Sequence, residues 1–211
     1  MGRTPLFDRT TVVRAARDVF WSTGFEEASI TDLEIATGVN RSSLYHGFGS
    51  KRGLFDAAVD DYLDAVIRPR LRVLNAPAPP GGALLAYLAA LRASVAAMPD
   101  DAARRGCLLV NCAAGLAGHD PGARDVVTAY WAELRVALSD ALTAGVAPPV
   151  DPVEVDRRAR MIAALTTSAM LLARVGSAEP AAMLDTASVL VAEWFDAPHR
   201  EAVRPDGGSG R

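Results

Sequence analysis

The 211-residue sequence has few cysteines and no long apolar segment. Its two cysteines, Cys107 and Cys112, are too few to hold a fold together through disulfides, which suggests a reducing compartment. No apolar run reaches the roughly 18 residues that a membrane-spanning helix needs, so no membrane partner is expected. No apolar signal core follows residues 1–5, which predicts a cytoplasmic protein. Only Lys51 among the 22 basic residues is a lysine, an arginine bias that we attribute to genome composition.

The sequence also lacks the signatures of common enzymes. It contains no phosphate-binding glycine loop, no HExxH and no GxSxG motif. The adjacent His119 and Asp120 suggest a catalytic or metal-binding pair, but no partner cluster lies at ligand spacing. Asp120 is better explained as a helix cap, so we expect no metal and no cofactor. A small helical enzyme that uses these two residues and Cys107 stays open as an alternative.

Composition excludes a disordered chain but does not by itself indicate a nucleic-acid partner. Hydrophobic residues make up 50% of the sequence and charged residues 22%, close to the average for soluble globular proteins. The formal net charge is -3, so any DNA binding has to come from a local patch rather than from bulk charge.

The spacing of apolar residues predicts an all-α fold of about nine helices. Apolar residues from Val12 to Phe20 recur at spacings of three and four, and Gly24 ends this first helix. A long fourth helix is predicted to begin at Ser50 and to stop before Pro69. No segment shows convincing strand alternation.

A larger helical unit follows the Pro- and Gly-rich segment 75–82, which is predicted to be a linker between two units. The segment 198–211 is rich in glycine, proline and charge and is predicted to be a disordered tail. The helices predicted in the larger unit are 84–98, 106–116, two that begin with the capping pairs Asp120-Pro121 and Asp151-Pro152, and one opened by Pro180.

The most informative stretch is 29–51, with the sequence SITDLEIATGVNRSSLYHGFGSK. Ser29 and Asn40 are predicted to cap two short helices, and Gly38 between them lets the chain reverse sharply. The second helix would fit the major groove, where donors and acceptors distinguish bases, and Lys51 would add a phosphate clamp. The residues predicted to face inward are Leu33, Ala36, Val39, Leu44 and Phe48, and those on the outer face are Arg41, Ser42, Ser43, Tyr45 and His46.

This stretch resembles the DNA-binding domain of the TetR family of bacterial transcriptional regulators. The shared pattern is a helix of T-x-x-x-I-A type, then A-x-G-V, then S-x-x-x-L-Y-x-x-F-x-x-K. One departure is Glu34, where the family usually has a small alanine, and Ile35 is expected to take the buried role through a slight rotation of the helix. The resemblance is carried by Ile30, Asp32, Leu33, Ala36, Gly38, Val39, Leu44, Tyr45, His46, Phe48, Ser50 and Lys51.

The resemblance implies a regulator, most often a repressor, rather than an enzyme. It implies a three-helix DNA-binding domain over 1–55, with its helix-turn-helix motif at 29–48, and a ligand-binding and dimerisation domain over 56–197. The implied partners are double-stranded, near-palindromic operator DNA, a small-molecule effector and a second copy of the chain.

The family also implies roles for the DNA-facing side chains. The residues expected to grip phosphates are Tyr45, His46, Lys51 and, from the preceding helix, Thr31. Those expected to approach base edges are Arg41, Ser42 and Ser43, while Arg3 and Arg9 could reach the DNA backbone or the minor groove.

The segment 105–111 resembles a Gly-Cys-Leu-x-x-Asn run in one branch of the family, some members of which sense electrophiles or oxidants through the cysteine. Cys107 and Asn111 are therefore candidate redox or pocket residues. We favour a different interpretation of Cys107, as a small buried hydrophobe at a tight helix crossing that Gly106 allows.

The apolar stripes over 161–175 and 183–195 predict a twofold dimer with a four-helix contact. A cavity lined by apolar side chains from the four helices between 84 and 175 would favour a moderately sized, mainly apolar effector. A DNA-binding module without a ligand is the remaining alternative.

Overall fold

The computed structural model describes residues 7–97, 105–146 and 149–201, and within these ranges the chain is all-α, which confirms the predicted fold class. A search of the described helices finds none that is long and apolar enough to cross a membrane. The helices in chain order are α1 (Arg9–Thr23), α2 (Ile30–Thr37), α3 (Arg41–Phe48), α4 (Lys51–Tyr62), α5 (Arg68–Leu74), α6 (Gly82–Ala96), α7 (Leu108–Ala114), α8 (Pro121–Thr143), α9 (Pro152–Leu172) and α10 (Ala178–Glu201).

Side-chain caps decide where most of these helices begin. Ser29 and Asp32 form a capping box, in which each side chain accepts a hydrogen bond from the backbone amide of the other residue at 3.0 Å. Asn40 caps α3, and Asp120 and Asp151 cap α8 and α9, with proline at the first helical position in both. The helix starts predicted at these residues are therefore confirmed. Each cap accepts a hydrogen bond from a backbone amide that has no partner within the helix.

The prediction that the fourth helix stops before Pro69 is wrong. A π-helical turn, Leu63–Ile67, joins α4 to α5, so that the three form one continuous rod. Counted with this rod as one, the described ranges contain nine helices besides the single 3-10 turn Leu116–Gly118. Proline lacks an amide hydrogen and its ring crowds the preceding turn, but the wider π turn lies directly before it. Pro69 thus continues the rod as the second residue of α5.

The segment 75–82 does not separate two units, contrary to the prediction. α5 packs against α6 and α8, so the segment joins two helices of the same C-terminal unit. It is also tightly packed, because a Cβ atom on Gly81 would lie 2.6 Å from the ring of Phe195. The rod from α4 to α5 is therefore the element that leads from the N-terminal unit into the C-terminal unit.

One hydrophobic core runs through both units. In the N-terminal part, Phe20 of α1 meets Phe55 of α4 edge to face at 5.2 Å between ring centroids. In the C-terminal part, α10 packs on α6 and α9, and α9 packs on α8. Trp21 connects the two parts, because its ring packs on Tyr62 and its Nε1 donates to the carbonyl of Gly106 at 3.2 Å. The N-terminal unit is thus packed directly against the rest of the protein.

The last helix extends to Glu201, so the first four residues of the predicted tail are helical. Residues 202–211 lie outside the described residues. The same holds for Arg3, a predicted DNA contact, and for Met98 at the end of the predicted helix 84–98.

Candidate DNA-binding interface

The turn of the helix-turn-helix is set by Gly38. Its backbone is left-handed, with φ 67° and ψ 15°, and its amide donates to the carbonyl of Glu34 at 2.9 Å. This conformation strains residues with a Cβ atom but not glycine. The chain therefore closes α2 and enters α3 through Asn40, as the sequence predicts.

Helix α3 buries Leu44 and Phe48 and leaves its opposite face in solvent. The guanidinium of Arg41 lies 5.2 Å from the centroid of the Tyr45 ring on this face. Among the predicted DNA contacts, the exposed residues are Thr31, Arg41, Ser42 and His46, and the half-buried ones are Ser43, Tyr45 and Lys51. The structure thus places these side chains beside one another, and their individual roles stay predictions.

Two expectations for α2 are wrong. Ile35 is 77% exposed, so the helix is not rotated to bury it, and Ala36 is exposed as well. Leu33 is the fully buried residue of this eight-residue helix. The helix is short and contributes a narrow face to the core, so its neighbouring positions remain in solvent.

Glu34 has a structural role that its departure from the family pattern did not indicate. Its carboxylate accepts a hydrogen bond from the backbone amide of Arg41, the first residue of α3. That amide has no partner within the helix, and a negative charge at a helix N-terminus is favourable. At this position, where the family usually has alanine, the carboxylate thus gives α3 a second N-terminal cap.

Two basic side chains, Arg9 and Lys51, form hydrogen bonds and cation–π contacts near the helix-turn-helix motif. Arg9 donates to the carbonyl of Gly47 at 2.8 Å and lies over the ring of Phe48. Lys51 lies over the ring of Phe25, 4.7 Å from its centroid, and its Nζ donates to the carbonyl of Glu26 at 3.3 Å. An ammonium has three donors, so Lys51 keeps donors for a phosphate.

Polar contacts join the segments on either side of this motif to the turn before α8. Arg52 of α4 pairs with Asp120, and Glu26 pairs with His119 at 3.2 Å. The Ala123 amide and the Arg52 guanidinium hold the pKa of Asp120 below its ordinary value. A search of the described residues finds no group of three or more His, Cys, Asp or Glu side chains that could hold a metal ion. His119 and Asp120 thus connect the two units of the protein.

Cys107 and Asn111 lie at a tight helix crossing. Cys107 is 3% exposed, and its Sγ lies 3.5 Å from the hydroxyl of Tyr62. The preceding Gly106 has φ 57°, and a Cβ atom there would lie 2.5 Å from the carbonyl oxygen of Met170. Asn111 donates to the carbonyl of Arg105 at 2.8 Å. This geometry supports the interpretation of Cys107 as a buried packing residue.

The second cysteine, Cys112, is also free and buried, and burial raises the pKa of its thiol to about 12. A thiol of that pKa stays protonated at neutral pH and is a poor nucleophile.

The predicted cavity among the helices between 84 and 175 is present, and α5 also contributes to its wall. Side chains fill nearly all of it. Its volume is about 20 Å³, which is room for about one water molecule. Burial raises the pKa of Tyr87, in its wall, to about 12, so this phenol stays protonated. The lining residues are Ile67, Arg70, Leu71, Tyr87, Leu91, Cys107, Val110, Tyr130, Thr166, Thr167 and Met170.

Comparison with known proteins agrees with this geometry. The family model described as "Bacterial regulatory proteins, tetR family" matches residues 12–58. The chain is 32% identical over 165 residues to the HTH-type transcriptional regulator YezE of Bacillus subtilis, covering 78% of this chain and 81% of YezE. It is 29% identical over 147 residues to the HTH-type transcriptional repressor BdcR of Escherichia coli, covering 66% and 68% of the two chains.

Solved structures show the same fold. A cysteine mutant of the TetR family regulator CifR, solved with a 26-bp double-strand operator DNA, superimposes with a TM-score of 0.74 at 28% identity. The match covers 89% of this chain and 98% of that one. A TetR regulator from Chloroflexus aurantiacus superimposes with a TM-score of 0.71, also at 28% identity, covering 89% and 93%.

A helix-turn-helix with a solvent-facing second helix, packed on a larger helical unit, defines a DNA-binding transcriptional regulator. The chain belongs to the TetR family of bacterial transcriptional regulators. Its relatives are regulators of transcription, so the alternative of a small helical enzyme is set aside.

Proposed function

We propose that this regulator is a cytoplasmic, homodimeric repressor that binds a near-palindromic operator and leaves it when a small molecule binds. BdcR is named a repressor, and CifR was solved on operator DNA, which supports repression and operator binding here. A twofold dimer would place two copies of α3 in successive major grooves, about one helical turn of DNA apart.

The solvent-facing side of α3 is the single observation that carries this proposal. The helix is capped by Asn40 and by Glu34, and its far end is tied to Arg9 through the carbonyl of Gly47. It presents the exposed side chains of Arg41 and Ser42 at its N-terminal end. In a helix-turn-helix, this end of the second helix contacts base edges.

Dimerisation is supported by exposed apolar side chains on the last two helices. Leu171 of α9 is 44% exposed and Val189 of α10 is 57% exposed, although both lie on long, well-packed helices. Val175, just after α9, is 87% exposed. A second copy of the same surface, related by a twofold axis, would remove these groups from water.

Control by a small molecule is preferred here over control by oxidation of Cys107. A sensing thiol has to be reached by its oxidant and is usually activated by a lowered pKa. Cys107 is almost completely buried, the Tyr62 hydroxyl contacts its sulfur, and Trp21 binds the carbonyl of the preceding Gly106. We therefore expect Cys107→Ser to leave the response to mild peroxide unchanged.

The test is to recover the genomic fragments that the purified protein retains and to footprint them. The expected result is protection of two inversely related half-sites, with release by a small molecule found by screening. Protection without dyad symmetry would contradict the dimeric arrangement. Release by peroxide from the wild type, but not from Cys107→Ser, would establish the thiol sensor instead.

A further inference from the structure

A pocket of about 220 Å³ lies between the DNA-binding unit and the C-terminal unit. We call it the junction pocket. Its walls come from α4, α7 and α8, and its apolar surface includes Phe55, Val59, Leu109 and Val126. The volume is somewhat below the roughly 300–1,000 Å³ of drug-sized sites, so a compact ligand fits best. It exceeds the central cavity about tenfold, given the 20 Å³ of that cavity.

The charged rim of the junction pocket is formed by three side chains on successive turns of α4. They are Arg52, Asp56 and Asp60. The guanidinium of Arg52 is already engaged, because it binds Asp56 at 2.6 Å through Nε and Asp120 through Nη1. Asp60 is exposed and forms no ion pair with any residue in the described ranges. The rim therefore has an excess of negative charge.

We propose that the junction pocket binds a compact organic cation. Its apolar body would lie on the Phe55, Val59 and Val126 surface, and its ammonium group would meet Asp60 and Asp56. A carboxylate ligand of the same shape would be repelled by these two side chains, and a neutral ligand would gain only from apolar burial. The exposed position of Asp60 limits the charge contribution, so the apolar surface supplies part of the affinity.

The role of this site in control rests on the proposed function. α4 follows directly on α3 and packs against α1, whereas α7 and α8 belong to the C-terminal unit. A cation between them competes with Arg52 for Asp56, and Arg52 is also the ion-pair partner of Asp120 on the α8 side. Because α3 is joined directly to α4, a ligand that favours one separation of α4 and α8 would also shift the position of α3. Linkage then requires that DNA binding changes the affinity for the ligand in return.

The first experiment compares three probes of one shape by isothermal titration calorimetry on the full-length protein without DNA. The probes are 2-phenylethylamine, 2-phenylethanol and phenylacetate. We expect the amine to bind most tightly, the alcohol to bind about fivefold more weakly, and phenylacetate to bind more weakly still. Equal affinity for the amine and the alcohol, or no detectable binding of the amine at 10 mM, would overturn the proposal.

Substitutions then locate the site. Asp60→Asn should weaken the amine about fivefold and leave the alcohol unchanged. The matched control is Asp64→Asn, one turn further along the same rod, where the carboxylate pairs with Arg68 and does not line the pocket. Val126→Trp should abolish binding of both probes by filling the apolar floor, with thermal unfolding followed by circular dichroism to verify the fold. Equal effects of Asp60→Asn and Asp64→Asn would overturn the assignment.

A DNA measurement separates this proposal from the proposed function. Retained genomic fragments are titrated with protein at a series of 2-phenylethylamine concentrations from zero to saturation, for the wild type and Asp60→Asn. The expected result is weaker DNA binding with amine, shifted to higher amine concentration in the variant. Loss of amine binding in calorimetry refutes the pocket alone, whereas failure of the amine-free protein to retain any fragment refutes the regulator itself.

Discussion

The carboxylate of Glu34 in α2 accepts a hydrogen bond from the backbone amide of Arg41, the first residue of α3. The bond spans the turn at Gly38 and therefore fixes α3 against α2. It also places a negative charge at the N-terminus of α3, where the helix dipole is positive. Because the exposed Arg41 side chain leaves from this same residue, the bond positions a predicted base contact.

Replacing Glu34 with alanine should lower the free energy of unfolding by about 1 kcal/mol, the usual value of a lost cap. Specific DNA binding should weaken with it, because α3 loses one of its two N-terminal caps. Glu34→Gln keeps an acceptor and should retain most of the stability. Urea unfolding and fluorescence anisotropy on retained DNA measure the two effects, with the exposed Glu27→Ala as control. Identical behaviour of the alanine and glutamine variants would contradict the capping role.

Substitutions of the predicted DNA contacts should have two different effects, one on sequence preference and one on binding to any DNA. Arg41→Ala should reduce the preference for specific over scrambled DNA by about 1–3 kcal/mol, as expected for a lost bidentate base contact. Lys51→Ala should weaken binding to both DNAs alike and lower the salt dependence by about one released counterion. Arg72→Ala removes an exposed arginine from α5 and serves as the control. If Arg41→Ala weakens both DNAs equally, its predicted contact is to phosphate.

Features that one side chain decides could be predicted from the sequence. Ser29, Asn40, Asp120 and Asp151 begin their helices as expected, because each cap acts within four residues of itself. The left-handed turn at Gly38 follows from the same local chemistry. The placement of the solvent-facing side of α3 depends on these features and was therefore predictable too.

Features that depend on packing between distant segments were not predictable. The rod continues past Pro69 through a π turn, and no local pattern marks a π turn in the sequence. Arg52 and Asp120 are 68 residues apart, so their ion pair exists only because α4 and α8 meet. The junction pocket arises in the same way and has no signature along the chain.

Leu171 offers a test of the proposed dimer. This side chain lies on the exposed side of α9, so Leu171→Glu should leave the protomer folded while placing a charge in the predicted contact between subunits. Static light scattering at micromolar concentration should give the mass of two chains for the wild type and one chain for the variant. Val136→Glu, at a 61% exposed apolar position on α8, should remain dimeric. A wild-type mass of one chain would refute the dimer.

Gly106 should not tolerate a side chain. Its positive φ of 57° strains any other residue, and a Cβ atom would lie 2.5 Å from the carbonyl oxygen of Met170, which is backbone and cannot rotate away. Gly106→Ala should therefore lower the free energy of unfolding by about 2–3 kcal/mol. Gly118→Ala is the control, because a Cβ atom at that glycine meets nothing within 4 Å. Equal melting temperatures for the two variants would show that the crossing of α7 and α9 is looser than described.

Acid should weaken the fold in part through Glu154. Hydrogen bonds from Arg157 and Arg158 at 2.6 Å hold the pKa of this carboxyl at about 2, below its ordinary value of 4.5. Since the folded-state pKa is the lower one, the ionised carboxylate stabilises the fold above about pH 4.5. That stabilisation is lost progressively as the pH falls toward 2. Glu154→Gln should therefore melt at a lower temperature than the wild type at pH 7, and the difference should shrink on acidification. Melting curves between pH 7 and pH 2 measure this, with the exposed Glu133→Gln as control. A difference between wild type and Glu154→Gln that stays constant over this range would show that the arginines do not favour the charged carboxylate.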